Sequence, residues 1–145
     1  MTLKPADPDF LAELAALLPP DTLREAEPRY LEEPRGKVFA PGGTVALPRS
    51  TEEVAVCLRQ AAAARVGVIP YGGGTGLVSG QLTPEGPAPL ILSLEKMNVI
   101  RDVRPEENVL VAEAGVVLAE IHRAAEDLTT SDEKGQSCDG ELHFT

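Results

Sequence analysis

The chain has 145 residues, with 13 Lys and Arg against 23 Asp and Glu, for a formal net charge of −10. A chain of this length is expected to form one domain and to bury roughly 68–70% of its unfolded surface, enough for a real core. The acidity argues against nucleic acid as the main partner and against docking on anionic lipid through a basic patch, because both need a basic surface.

No apolar run reaches the ~18 residues of a membrane span, so no membrane insertion is expected. Residues 1–9 lack the basic-then-apolar layout of a signal peptide. Cys57 and Cys138 make no disulfide framework. Together these features predict a cytoplasmic setting.

Asp7 and Pro8 predict the start of a first helix, with Asp7 as its cap, and Pro19-Pro20 must end it. Phe10, Leu14, Leu17 and Leu18 recur at helical spacing and form its inward stripe. Residues 19–43 mix proline, glycine and charge and read as an irregular lead-in, with one short helical turn near 22–26. Residues 44–47 are β-prone and closed by Pro48. Ser50 and Glu53 then form a capping box, in which the hydroxyl takes the Glu53 amide and the carboxylate reaches back to the Ser50 amide. The helix that follows carries Val54, Cys57, Leu58, Ala61 and Ala62 on one face. Cys57 is a packing position on that stripe. The helix stops near Arg65-Val66-Gly67, with Gly67 as a left-handed stop. Val68-Ile69 begins another strand, so strand, helix and strand make a βαβ unit and imply a parallel pair.

A glycine-rich loop follows. Beyond it, residues 90–94, 97–103 and 109–114 read as strands, the last two joined through Arg104-Pro105-Glu106-Glu107-Asn108. Residues 117–126 read as a helix with Leu118, Ile121 and Ala125 inward, and His122 as a solvated or edge residue. The order α, βαβ, glycine loop, βββ, α predicts an α+β fold with a mixed sheet, not a doubly wound one. Three regions result: a lead-in over 1–43, the main body over 44–126, and a polar, aperiodic tail over 127–145 that reads as poorly ordered. Cys138, Asp139, Glu141 and His143 in that tail fit no standard zinc spacing, so no metal site is expected.

The loop runs Pro70-Tyr71-Gly72-Gly73-Gly74-Thr75-Gly76-Leu77-Val78-Ser79-Gly80-Gln81. Glycine serves where the backbone turns through φ > 0 or approaches a ligand closely, and successive amides in such a turn can converge on an anion. The Rossmann fingerprint does not fit: counting from Gly72 the sixth position is Leu77, and from Gly74 it is Ser79. The Walker loop is excluded as well, because no Lys or Arg occurs between Arg65 and Lys96. An anion held by this segment alone would rest on backbone dipoles and on hydroxyls such as Thr75 and Ser79. A flexible surface loop is the competing reading, and the loop by itself leaves both open. Tyr71 can equally pack beside a ligand or on the sheet.

Read together, Pro48-Arg49-Ser50-Thr51-Glu52-Glu53-Val54, the Pro70–Gly76 run quoted above, Gly80, Leu94-Glu95-Lys96-Met97-Asn98 and Ala114-Gly115-Val116 resemble one family. It is the FAD-linked oxidases of the vanillyl-alcohol oxidase / p-cresol methylhydroxylase type, and within them the group of glycolate oxidase and D-lactate dehydrogenase. The resemblance spans roughly residues 20–126. It implies the first half of a p-cresol methylhydroxylase-type FAD-binding domain. Gly72, Gly73, Gly74, Thr75 and Gly76 match the loop that cradles the FAD pyrophosphate, Gly80 and Gln81 its exit, and Pro48 the segment near the adenine. Covalent relatives often have histidine where this chain has Thr75, so the resemblance implies non-covalent FAD. It also implies a small 2-hydroxy acid as substrate of the complete protein, and leaves room for further oxidase subunits as partners. The second flavin-contacting segment and the substrate domain of the family have no match here, so the chain reads as truncated and inactive by itself, with no catalytic residue of its own. A non-enzymatic remnant that binds a nucleotide or a protein is the alternative.

Overall fold

The computed structural model describes residues 2–132, with side chains described through residue 126. The chain divides into two compact units, Met1–Lys96 and Met97–Thr145.

In the first unit, helix α1 (Pro8–Ala15) starts as its sequence dictates: the Asp7 carboxylate accepts the Phe10 amide at 2.9 Å, and Pro8 occupies the first turn. Phe10, Leu14 and Leu18 are buried, but Leu17 is exposed. The helix has already ended at Ala15, so Leu17 no longer follows its register.

The expected helical turn at 22–26 is instead a strand, β1 (Leu23–Glu25). Its pairing decides the matter. It runs antiparallel to β2 (Thr44–Ala46), and the ladder continues beyond both ends, from the Leu47 amide to the Thr22 carbonyl at 2.8 Å and from the Ala26 amide to the Gly43 carbonyl at 3.0 Å. Between them lie a single helical turn, α2 (Pro28–Leu31), and a hook over residues 31–40 closed by an antiparallel bridge between Glu32 and Phe39. Neither was visible in the lead-in sequence. Gly36, at φ +64°, makes the hook's turn.

Ser50 caps α3 (Thr51–Ala64) by accepting the Glu53 amide at 3.2 Å, while the Glu53 carboxylate reaches back one residue further than expected, to the Arg49 amide at 2.8 Å. Cys57 and Ala61 are buried; Leu58 and Ala62 are not. The left-handed stop is Arg65 at φ 60°, not Gly67, since the Arg65 and Val66 amides already turn back to Ala61 and Ala62.

Strands β3 (Val68–Tyr71) and β4 (Leu90–Ser93) complete a four-stranded mixed sheet in the order β1-β2-β4-β3. The βαβ unit is present and its strands are parallel, but they are not neighbours: β4 lies between β2 and β3 and pairs with each in parallel. Alternation along the strands sends Ala46, Leu90 and Leu92 to one face, against Phe10, Leu14, Cys57 and Ala61. Val45, Leu47, Tyr71 and Ile91 go to the other, against Ala26 and Tyr30. Every residue of β4 is buried, Ser93 included, as befits a central strand covered on both faces.

In the second unit, β5 (Ile100–Arg104) and β6 (Val109–Ala112) form a separate two-stranded antiparallel sheet, rather than extending the first one as expected. They are joined by a short 3-10 turn, Pro105–Glu107, with Asn108 left-handed at φ 53°. β5 starts three residues later than its sequence suggests, and an irregularity between Ile100 and Asp102 interrupts its ladder with β6. Helix α4 (Leu118–Asp132) runs past the expected end at 126, so the predicted tail begins as helix. Leu118, expected inward, is exposed. Cys138, Asp139, Glu141 and His143 lie outside the described residues.

Candidate functional site

The glycine-rich loop leaves the carboxyl end of β3, beside the carboxyl ends of its parallel partners. In open parallel sheets, ligands collect at this edge, where the connections diverge. Here the edge is formed by Leu47-Pro48 after β2, by Gly72 onward after β3, and by Ser93-Leu94-Glu95 at and after β4. Pro48 is fully buried at the end of β2.

Among the glycines of 72–76, only Gly74 takes a left-handed conformation, at φ +70°. A Cβ there would lie 2.8 Å from Tyr71 Cζ, so both the turn and the tyrosine beneath it require glycine. A Cβ built on Gly72 or Gly80 meets nothing within 4 Å: the space beside these two is open. Ser79 supplies a second left-handed residue, at φ 58°. Gln81 holds the turn from inside, its Nε2 donating to the Gly76 carbonyl at 2.9 Å and the Gly74 carbonyl at 3.3 Å. Thr75 is exposed at the tip.

The Gly74 and Gly76 carbonyls are thus engaged while the loop's amides are not. Among the described residues, no acceptor takes a hydrogen bond from the backbone amides of 72–78. Backbone donors left unpaired at a surface turn are the raw material of an anion nest. No Asp or Glu lies in 72–81 to repel an anion. These residues fit a diphosphate such as that of FAD: open space, free amides, hydroxyls at Thr75 and Ser79, and no carboxylate within 72–81.

The positive charge that the loop lacks is brought to it by the fold. Arg35, in the hook, donates from Nη2 to the Leu77 carbonyl at 2.7 Å and from Nε to Glu33 at 3.2 Å. The Glu33 side chain has no exposure. Burial pushes its carboxyl up, but hydrogen bonds from Arg35 and the Lys37 amide outweigh this and leave it below the usual carboxylate value.

A second cluster sits on the face of the sheet that carries Tyr30. Tyr71 settles the question its sequence left open: it is buried against that face. Its ring meets Tyr30 edge-on at 4.9 Å, and its hydroxyl donates to the Arg29 carbonyl at 2.5 Å. Arg29 lies over the Tyr30 ring and pairs with Glu95 at 3.0 Å, and the Tyr30 hydroxyl donates to Glu95 at 2.9 Å. Burial raises Glu95, yet the hydrogen bonds from Arg29 and Tyr30 prevail and its pKa is lowered. Burial first, then the bond to Glu95, pushes the Tyr30 phenol up to about 12. The Ser93 hydroxyl in this region is buried without a hydrogen bond of good geometry. Arg29, Tyr30, Glu33 and Arg35 all come from the stretch read as irregular lead-in. No local motif marks Arg29, Tyr30 and Arg35, because they reach partners 42 to 66 residues away, while Glu33 is bound locally, by Arg35 and the Lys37 amide.

Outside this edge, Cys57 is a buried packing residue whose thiol is pushed up to about 11 by burial. His122 is exposed on α4. Among the described residues, no group of His, Cys, Asp and Glu could hold a metal ion, and no helix is long and apolar enough to cross a membrane.

Known proteins share this fold. The family described as "FAD binding domain" matches residues 43–137. Over 83 residues the chain is 41% identical to a D-2-hydroxyglutarate dehydrogenase of Xanthomonas citri pv. viticola, a match that covers 57% of this chain and 17% of that protein. Among solved structures, an alkyldihydroxyacetonephosphate synthase superposes with a TM-score of 0.71 at 22% identity, over 89% of this chain and 26% of the other. A p-cresol methylhydroxylase superposes with a TM-score of 0.63 at 16% identity, over 88% and 27%. The fold is therefore the α+β one of p-cresol methylhydroxylase-type FAD-binding domains, and the chain spans part of it.

Proposed function

The chain belongs to the FAD-binding domain family, and from that premise we propose that it is the diphosphate-cradling part of a flavin-dependent dehydrogenase of small 2-hydroxy acids, with FAD held non-covalently. The observation that carries the reading is the row of unpaired amides over 72–78 at the carboxyl edge of a parallel sheet. A hydrogen bond from an amide to a charged oxygen contributes about 1.5–3 kcal/mol, so three or four of them hold a diphosphate without any lysine. Gly72, Gly73, Gly74, Thr75 and Gly76 form the cradle in this reading. Gly80 leaves room at the exit, Gln81 fixes the turn, and Pro48 packs the adenine end.

Bound FAD would supply the acceptor for the hydride of the alcohol oxidation. The chain's own residues bind and orient it. Neither buried or half-buried carboxylate near this edge is free to take the substrate's hydroxyl proton, since Glu95 and Glu33 are both committed to arginines. That proton acceptor belongs to the larger remainder of a complete enzyme. The matched D-2-hydroxyglutarate dehydrogenase favours a 2-hydroxy acid substrate. D-2-hydroxyglutarate, glycolate and D-lactate are the acids to compare.

A chimera tests the proposal. Residues 43–126 replace the matching segment of the Xanthomonas dehydrogenase, and the purified protein is assayed for bound flavin and for oxidation of the three acids with an artificial electron acceptor. Yellow, active protein is the expected outcome. A folded but colourless chimera would overturn the cradle and favour the reading of a non-enzymatic, protein-binding remnant.

A further inference from the structure

We propose that the buried Glu33–Arg35 pair is a strut that holds the glycine loop in its ligand-ready shape, making Arg35 a positioning residue for the diphosphate; the ligand part of this inference rests on the flavin reading above.

Three observations converge on it. First, Arg35 bridges two segments that the sequence keeps 42 residues apart, by its bond to the Leu77 carbonyl at 2.7 Å. Second, its other end is fixed in the interior. Glu33 is fully buried and accepts from both Arg35 Nε and the Lys37 amide, while its own backbone is tied to Val38 and Gly36. A buried carboxylate is costly unless it is paired and hydrogen-bonded, so the hook cannot give up Arg35 cheaply. Third, the loop it reaches has little else to hold it. Val78 is 92% exposed and Leu77 56%, and inside the loop Gln81 alone ties the carbonyls of Gly74 and Gly76.

The direction of the bond matters. Arg35 takes a carbonyl of the loop and leaves the amides unpaired. A guanidinium spans the two acceptors, Glu33 and Leu77, because its donors lie in a rigid planar fork. A lysine ammonium in the same place keeps the charge but carries its three donors on one atom, without the fixed, separated donors that reach Glu33 and Leu77 from Arg35. The strut therefore predicts that geometry, not charge, is what Arg35 contributes.

The test compares the full chain with Arg35→Lys and Arg35→Ala. Arg35→Lys keeps a cation beside Glu33 and so guards against simple unfolding, which circular dichroism melting checks. The first readout needs no flavin: the rate of thermolysin cleavage before Leu77 and Val78 in the free chain. The expected result is severalfold faster cleavage in both variants, with the melting temperature of Arg35→Lys close to that of the parent. The second readout is FAD affinity by quenching of flavin fluorescence, with a loss of about tenfold expected in both variants, the equivalent of one charge-assisted hydrogen bond. Unchanged cleavage in both variants would overturn the strut. Parental cleavage and affinity in Arg35→Lys would overturn it too, by showing that charge suffices. Faster cleavage in a chain whose parent form takes up no FAD would uphold the strut and count against the flavin reading alone.

Discussion

Along β4, in the first unit, all residues are buried; along β6, in the second, exposed and half-buried residues alternate. The first unit covers both faces of a four-stranded sheet, with α1 and α3 on one side and the segment bearing Ala26 and Tyr30 on the other. The second is a two-stranded ribbon and a helix. Among its described residues Met97 is the one buried apolar side chain, while Val99, Val109, Val111, Val117 and Leu118 are exposed. A two-stranded hairpin is marginal by itself, whereas a sheet packed on both faces is self-sufficient. Precise geometry needs the second kind of support. The glycine loop, its Gln81 clamp and the Arg35 strut all hang on the first unit, whose core can fix them.

The largest effect should come from that core. Leu90 has no exposure, so Leu90→Ala is expected to cost about 2–5 kcal/mol in urea denaturation followed by circular dichroism. A loss below about 1 kcal/mol would mean that the first unit is not the stable one.

Gly74→Ala comes next. The left-handed backbone and the collision with the Tyr71 ring together cost about 1–3 kcal/mol. Flavin retention, measured in the chimera, should fall at least roughly tenfold, while Gly72→Ala, beside open space, should be tolerated far better. Equal losses at the two positions would show that the loop is shaped by the ligand instead of by Tyr71.

A third test uses pH. The Tyr30 phenol is raised from 10.0 to about 12 in the fold. The folded chain therefore keeps a proton that the unfolded chain loses. The stabilisation is complete below pH 10 and is lost as pH rises from 10 toward about 12, by up to about 1.4 kcal/mol per pH unit. Tyrosinate absorbance should show a late-titrating phenol that Tyr30→Phe removes. Titration of all tyrosine near 10 would break the Arg29–Tyr30–Glu95 cluster as described.

The smallest effect is expected in the ribbon. Val111 is 40% exposed, and Val111→Ala should change stability by no more than about 0.5 kcal/mol. A cost comparable to that of Leu90→Ala would show this valine packed in solution and would erase the contrast between the units.

Local rules wrote much of this chain legibly. Asp7-Pro8 and Ser50 set the helix starts, because a cap needs only its own next three residues. The apolar run Leu90-Ile91-Leu92 read as a strand, and four glycines among the five positions 72–76 read as a turn, though not yet as one with a ligand to hold. What stayed unread was everything held by distant partners. Residues 23–25 are a strand because β2 offers them an edge, and β2 and β3 are separated because β4 enters between them. Arg65 rather than Gly67 takes the left-handed stop, since the turn is set by where the preceding carbonyls lie. Tyr71 is committed to Tyr30 and Arg29, and Arg35 to Leu77. The caps, the apolar periodicity and the glycine loop were written into the chain itself, because their physics is confined to a few neighbouring residues. The strand order and the charges that reach the loop arose in the folded molecule, because they depend on which segments, dozens of residues apart, bury their surfaces together.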